Sequence, residues 1–467
     1  MNLKNVMLNI SYSISSNLLS LVVSALVTLF LPKILGVNFY GYFQLYLFYT
    51  TFVGFLHFGC CDGIYLKYGG NDYDDLDKSL FKGQYLLLLF SQIVITLIFL
   101  ILIFLSDIQE TEKSIVFLAT AFNVVALNIR TFSTFLLQAT NRIKDCSFVT
   151  ILDRLIYIVL VIILLIFKVN EFYWYIVADL IGKYVSMIVS LVYIKEISKI
   201  TVSTKIDFFE MWDSIKIGSN LMFANIASSL IVGIIRFGIQ KEWDVETFGK
   251  ISLTLSISNL ILVFVNAVSL VIFPLLKKQS KDNYSMVYFV IRTFVMPIIL
   301  FLLLLYYPLN TILIRWIPLY EDALKYMAIV FPILIFECKV SLLTNTYLKA
   351  LRKEKVIFIV NFLSAILSLI CTFIFVFILK NLILTMLSIV FVLAFKSSLA
   401  EAMLSKSLDI KVYKDIMLEY LVVGIFIFVS WNFNTLEAMV VYIIIFLIYL
   451  LFKVKDIQKA KIMLKNL

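Results

Sequence analysis

Stretches of about twenty consecutive apolar residues recur along the whole chain, and no other feature constrains its fold as much. A helix of that length crosses about 30 Å of hydrocarbon with every backbone hydrogen bond satisfied internally, which water cannot do there. Such runs lie near 9–31, 41–60, 83–106, 114–138, 146–168 and 172–194. They continue near 217–239, 249–273, 287–307, 323–347, 356–379 and 381–403, and two shorter ones follow at 416–431 and 436–452. The short alternating runs of a membrane β-barrel do not occur in the sequence. The pattern predicts an all-α polytopic membrane protein of about fourteen transmembrane helices. A length of 467 residues alone would suit about three soluble domains, but 62% hydrophobic residues and a mean hydropathy of +1.01 exclude them.

The distribution of charge tests this map independently of hydropathy. With the N-terminus inside, the cytoplasmic segments hold Lys78 and Lys82, Arg142 and Lys144, Lys195 to Lys216, Lys277 to Lys281, Lys349 to Lys355, Lys406 to Lys414, and the Lys453 to Lys465 tail. About 26 cationic residues then fall inside and about 8 outside, as the positive-inside rule requires. The same bias accounts for the net charge of +10 without a nucleic-acid partner. The first run is long and lacks a small-x-small cleavage site, so it reads as a retained first helix. Cys60, Cys61, Cys146, Cys338 and Cys371 show no CxxC or Cys/His spacing and read as apolar packing residues; no metal site or cofactor is expected. The lone His57 reads as an interfacial polar tip, and Asp72, Asp74, Asp75 and Asp77 as a solvated cytoplasmic loop.

The chain also echoes itself. Val37-Asn38-Phe39-Tyr40-Gly41 returns about 208 residues on as Val245-Glu246-Thr247-Phe248-Gly249, and Leu137-Gln138-Ala139 with Arg142 and Lys144 returns as Leu348-Lys349-Ala350 with Lys353 and Lys355. An even six-helix period makes the halves parallel, related by pseudo-two-fold symmetry, with any site expected between them. The expected organisation is a six-helix lobe over 1–200, a cytoplasmic interfacial linker helix over 201–216, a second six-helix lobe over 217–405, and two additional helices with a basic tail over 406–467. In the linker, Phe208, Phe209, Trp212 and Ile215 fall on one helical face and Asp207, Glu210 and Asp213 on the other.

Pro32-Lys33-Ile34-Leu35-Gly36 running to Tyr40-Gly41, Gln138-Ala139-Thr140-Asn141-Arg142, Phe273-Pro274 and Leu348 to Lys355 resemble the polysaccharide-transporter branch of the multidrug/oligosaccharidyl-lipid/polysaccharide exporter superfamily. The resemblance covers essentially the whole chain. It implies a flippase that moves oligosaccharides linked to undecaprenyl pyrophosphate, of the O-antigen or capsule type, across a bacterial cytoplasmic membrane, with both termini cytoplasmic. A polysaccharide polymerase and a chain-length regulator are the partners such a pathway implies. Multidrug antiporters share the architecture, so the fold alone does not choose the substrate.

Charge within the spans narrows that choice. Each Arg or Lys at mid-bilayer costs roughly 2.5 to 3.5 kcal/mol on insertion scales, so such residues should face a partner, water or a substrate. Arg130 and Arg154 fall about 12 Å from the cytoplasmic ends of their helices, Lys339 at similar depth, Lys183 near the middle, and Arg236 towards the outside. Arginine offers bidentate donors and lysine a mobile point charge to a pyrophosphate, so these five are the expected substrate-binding residues, lining a cationic lumen. The competing reading is internal pairing, with Asp179 one turn from Lys183 and Asp153 available to Arg130. Asp179, Glu337 and Asp62 are the candidates for coupling to a proton or sodium gradient. Pro297 and Pro332 are candidate hinges, since each removes an intrahelical hydrogen bond. A drug or cation antiporter would favour an acidic, aromatic pocket over these bases. A membrane polymerase or transferase lacks here a sizeable loop, a metal-binding acidic pair and a nucleophile with its base, so no catalytic residue is expected.

Overall fold

The apolar runs fold as helices, and no strand occurs among the described residues. The computed structural model describes residues 3–106, 108–198, 204–277 and 283–465, without the side chains of 3–10, 261, 263–277 and 464–465. The loop after Lys277, residues 199–200 of the expected first lobe and 201–203 of the expected linker, and the side chains of Phe273 and Pro274 lie outside it. The chain divides into two compact units, 1–226 and 227–467.

The first unit holds α1 (Leu3–Val53), α2 (Cys60–Lys67), α3 (Lys78–Leu105), α4 (Thr111–Ala139), α5 (Ile143–Ile166), α6 (Phe172–Tyr193), the single turn α7 (Lys195–Ser198) and the start of α8 (Phe208–Glu242). The second holds the rest of α8, then α9 (Val245–Lys277), α10 (Tyr284–Phe301), α11 (Tyr306–Trp316), α12 (Glu321–Val330), α13 (Ile333–Lys339), α14 (Thr346–Ala350), α15 (Glu354–Thr372), α16 (Leu382–Leu408), α17 (Tyr413–Asn432) and α18 (Thr435–Lys465). Among the described residues eleven helices are long and apolar enough to cross a membrane, or up to twelve with one bent pair. The expected count of fourteen is not confirmed among the described residues. The runs at 9–31 and 41–60 share one stretch, Ser11–His57, whose 47 residues would extend about 70 Å as a straight helix, twice the hydrocarbon thickness. It breaks at Gly36 (φ 68°, ψ −178°), a conformation only glycine enters freely.

The end of this stretch is irregular, and side-chain amides repair it. Residues Gly54–His57 form a 3₁₀ turn, and Phe58 and Gly59, both at positive φ, redirect the chain into α2. The carbonyls freed by the break are met by Gln92 Nε2 on Leu56 (3.0 Å) and Asn128 Nδ2 on Val53 (3.1 Å), which accounts for two uncharged polar groups inside apolar helices.

The linker is not the separate interfacial helix that its amphipathic pattern predicts. It forms the first turns of α8, and the face it buries is Met211, Ser214, Ile215 and Gly218, so Ile215 parts from Phe208, Phe209 and Trp212, which are exposed. The cause is backbone contact with α2. A Cβ on Gly63 would lie 1.8 Å from the Ser214 carbonyl oxygen, and one on Gly218 2.0 Å from that of Gly59. Lys67 then reaches Glu210 (2.9 Å) and Asp213 (2.5 Å); although burial opposes its charge, these hydrogen bonds hold the ammonium above the usual lysine range. Gly63→Ala and Gly218→Ala are each expected to cost about 1–3 kcal/mol by overpacking and to open residues 204–216 to protease. Gly424→Ala, where a Cβ meets nothing within 4 Å, is the control that should leave the melting temperature unchanged.

The second echo becomes a repeated helix end. Asn141 (φ 59°) closes α4, with Arg142 N–H on Leu137 O at 2.7 Å; Arg352 (φ 54°) closes α14, with Lys353 N–H on Leu348 O at 2.8 Å. Both are Schellman caps, the bond from C″ to C3 sealing an otherwise orphan carbonyl. In the first echo, Tyr40 and Phe248 are each fully buried in their own unit.

In the second unit, Pro318–Val330 and Ile333–Ala350 form the bent pair, at 41°, with Pro332 in the break. A π-helical stretch, Val340–Asn345, follows within it. Pro297 lies inside α10, and the helix tightens to 3₁₀ at Leu302–Leu305, just beyond it.

Candidate substrate site

Four helices of the first unit bring their ionisable groups together. Close packing of α5 on α6 starts the arrangement: a Cβ on Gly182 would stand 2.9 Å from the Asp153 carbonyl oxygen, so no larger residue fits there. Asp179, Lys183 and Ser186 follow at i, i+4 and i+7 along one face of α6. Lys183 Nζ donates to Asp179 at 2.6 Å, and Tyr46 Oη of α1 donates to the same carboxylate at 2.7 Å. From α4, Arg130 reaches Asp153 of α5 at 2.5 Å and Ser186 Oγ at 3.3 Å. Arg154, the next residue on α5, lies 3.9 Å from the same Asp153.

The cluster therefore holds three cations against two carboxylates, a formal excess of one positive charge inside an apolar unit. Within it the burdens differ. Asp153 and Asp179 are almost fully buried, and each has a short pair. Arg154 is 31% exposed, at the outer limit of ion pairing, and shares its carboxylate with Arg130. Its guanidinium keeps most of its five donors for another acceptor.

The other predicted residues fall elsewhere. Lys339 of α13, only 1% exposed, lies between Glu401 of α16 and Glu419 of α17. Arg292 of α10 joins the same two carboxylates, each at 2.6 Å, and reaches Asp415 at 3.1 Å. Tyr288 donates to Glu401 at 2.8 Å, and Lys453 of α18 pairs with Asp415 and Asp456. This network ties the two last helices to the rest of the second unit. Sequence reasoning missed Arg292 and Glu419 because window hydropathy averages a single charge away; their signal was that both lie inside apolar runs. Arg236 donates to Ser252 Oγ at 2.9 Å, with its guanidinium over the Phe248 ring. Glu337 accepts from Lys396 at 2.8 Å, and Asp62, buried at the start of α2, has His57 Nε2 at 3.7 Å. The five cysteines are buried and unbridged, and no group of acidic, His or Cys side chains suited to a metal occurs among the described residues.

Comparison with known proteins agrees with this architecture. Residues 2–280 match the family described as "Polysaccharide biosynthesis protein". No curated protein sequence matches. Among solved structures, the fold is similar to an inward-facing multidrug resistance MATE family transporter of the MOP superfamily (TM-score 0.62, 12% identity, 84% of this chain and 95% of that one). It is similar also to the lipid II flippase MurJ in an inward closed conformation (TM-score 0.60, 16% identity, 96% of this chain and 99% of that one). Both likenesses extend over parts of both units.

Proposed function

The chain belongs to the polysaccharide biosynthesis protein family, and on that premise we propose that it flips polysaccharide repeat units linked to undecaprenyl pyrophosphate from the inner to the outer leaflet of a bacterial cytoplasmic membrane. One observation carries this reading: the intramembrane cluster of Arg130, Arg154 and Lys183 exceeds its carboxylates by one charge, and its most exposed member is a guanidinium. A pyrophosphate diester is the anion such a group suits, since planar donors meet two oxygens at once. A surplus cation in hydrocarbon costs free energy that an anionic substrate returns on binding, so the substrate neutralises the site it enters. A cationic drug would raise that cost instead.

In this reading transport proceeds by alternating access, with Pro297 and Pro332 as give points. Both termini lie in the cytoplasm, and a polymerase that extends the glycan takes the product on the far side. Coupling to a proton or sodium gradient belongs to the same proposal, with Asp179, Glu337 and Asp62 as the carboxylates concerned. Lys339 and Arg236 remain secondary substrate contacts in it.

Deletion of the gene in the parent cell is expected to leave lipid-linked repeat units in the cytoplasmic leaflet and to remove the surface glycan. Labelling of the outer leaflet with a membrane-impermeant lectin or oxidant measures both. Normal outer-leaflet labelling in the deletion strain, with the glycan intact, would refute the assignment.

A further inference from the structure

A second site is built into the other unit. A cavity of about 540 Å³ lies where the segment after Leu305, the start of α12 and the turn between α17 and α18 meet. That size is in the range of small-molecule sites. Its wall carries Asn310, only 8% exposed, whose Oδ1 accepts no hydrogen bond. A buried carbonyl oxygen without a donor is rare and costs free energy, so a turn of this lining amide towards a donor in the cavity would be favoured.

The remaining chemistry selects among ligands. Tyr307 and Ser430 hydroxyls pair at 3.1 Å in the wall, and the half-exposed ring of Trp431 stands against Tyr326 at 5.8 Å on the rim. Of the charged residues lining the cavity, Glu321 is an acid and Lys325 a base, and Lys325 pairs with the neighbouring Asp322 at 4.0 Å. A hydrocarbon tail would leave Asn310 unpaired and bury the hydroxyls to no purpose. An anion or a cation would gain from one of the two lining charges, Glu321 and Lys325, and lose to the other. A sugar ring meets every term, because its C–H face stacks on an indole while its hydroxyls both donate and accept. We propose that this cavity binds neutral sugar residues of a glycan, with Asn310 Oδ1 accepting from a sugar hydroxyl and Trp431 stacking on the ring.

The cavity follows the run 287–307 and precedes 436–452, so on the proposed topology it opens outside, where the flipped glycan emerges. Only this source of the ligand rests on the flippase reading; sugar binding itself does not.

Saturation-transfer NMR on the full chain in nanodiscs provides the test, with two probes: the delipidated oligosaccharide released by mild acid from the parent cell, and diacetylchitobiose. Saturable binding near about 1 mM is expected. Asn310→Leu, which keeps the volume and removes the acceptor, and Trp431→Ala, at a half-exposed position, should each weaken it about tenfold or more. Trp431→Ala keeps the test valid if Asn310→Leu fails to fold, and melting temperatures identify that case. Equal binding by the wild type and both variants, or no saturable binding of either probe below about 10 mM, overturns the site. Transport separates the two proposals: Arg154→Ala should still bind sugar while flipping nothing, and a wild type that flips lipid-linked units without binding sugar leaves the flippase reading standing alone.

Discussion

Arg154→Ala is expected to abolish transport of lipid-linked repeat units while the protein keeps its normal abundance in the membrane. Its side chain is the most exposed of the three cations and has only a distant share of Asp153, so its removal strands no buried carboxylate. The loss should appear as at least a hundredfold fall in outer-leaflet labelling, since two charge-assisted hydrogen bonds to a pyrophosphate are worth about 3 kcal/mol or more together. Arg154→Lys should recover part of the activity, because a point charge replaces the bidentate fork. Arg130→Ala differs in kind. It leaves Asp153 buried with its principal partner gone, at a cost of about 3–5 kcal/mol, so abundance should fall together with transport. Full complementation by Arg154→Ala would remove the cluster from the mechanism.

The second large effect concerns the C-terminal helices. Arg292→Ala leaves Glu401 and Glu419 facing each other with Lys339 alone between them, and is expected to destabilise the second unit by about 3–5 kcal/mol. Thermal unfolding in detergent, followed by release of α17 and α18 to limited proteolysis, measures it. Replacing Arg292, Glu401, Lys339 and Glu419 together by apolar residues of similar volume should recover much of the loss, since a buried network is harmful chiefly when broken. Lys339→Ala distinguishes a structural from a substrate-binding role for that residue. Unchanged melting with lost transport would place it on the substrate path; a fall in melting temperature like that of Arg292→Ala would place it in the scaffold.

The limits of sequence reading follow from particular residues. Hydropathy placed the helices because transfer of a twenty-residue apolar segment depends on composition, and the runs at 83–106, 146–168 and 172–194 fall within a few residues of α3, α5 and α6. The pairing of Asp179 with Lys183 was equally legible, since an i, i+4 spacing fixes proximity on a helix before any tertiary contact forms. Arg130 with Asp153 was legible only as one possible partnership, and Arg292 with Glu419, 127 residues apart, was not legible at all. Ile215 shows the same limit on a smaller scale: amphipathicity assigned it to the aromatic face, and the contact of Gly63 and Gly218 turned it inward.

Sequence by itself determined an all-helical membrane chain, its approximate spans and its two echoing halves, because hydrophobic length and motif order are properties of contiguous residues. Tertiary structure alone decided which buried charges neutralise one another, which guanidinium is left exposed, and where an orphan amide meets an aromatic rim. Those outcomes depend on distances between helices, and side-chain pairing across helices has no period that a single sequence can display.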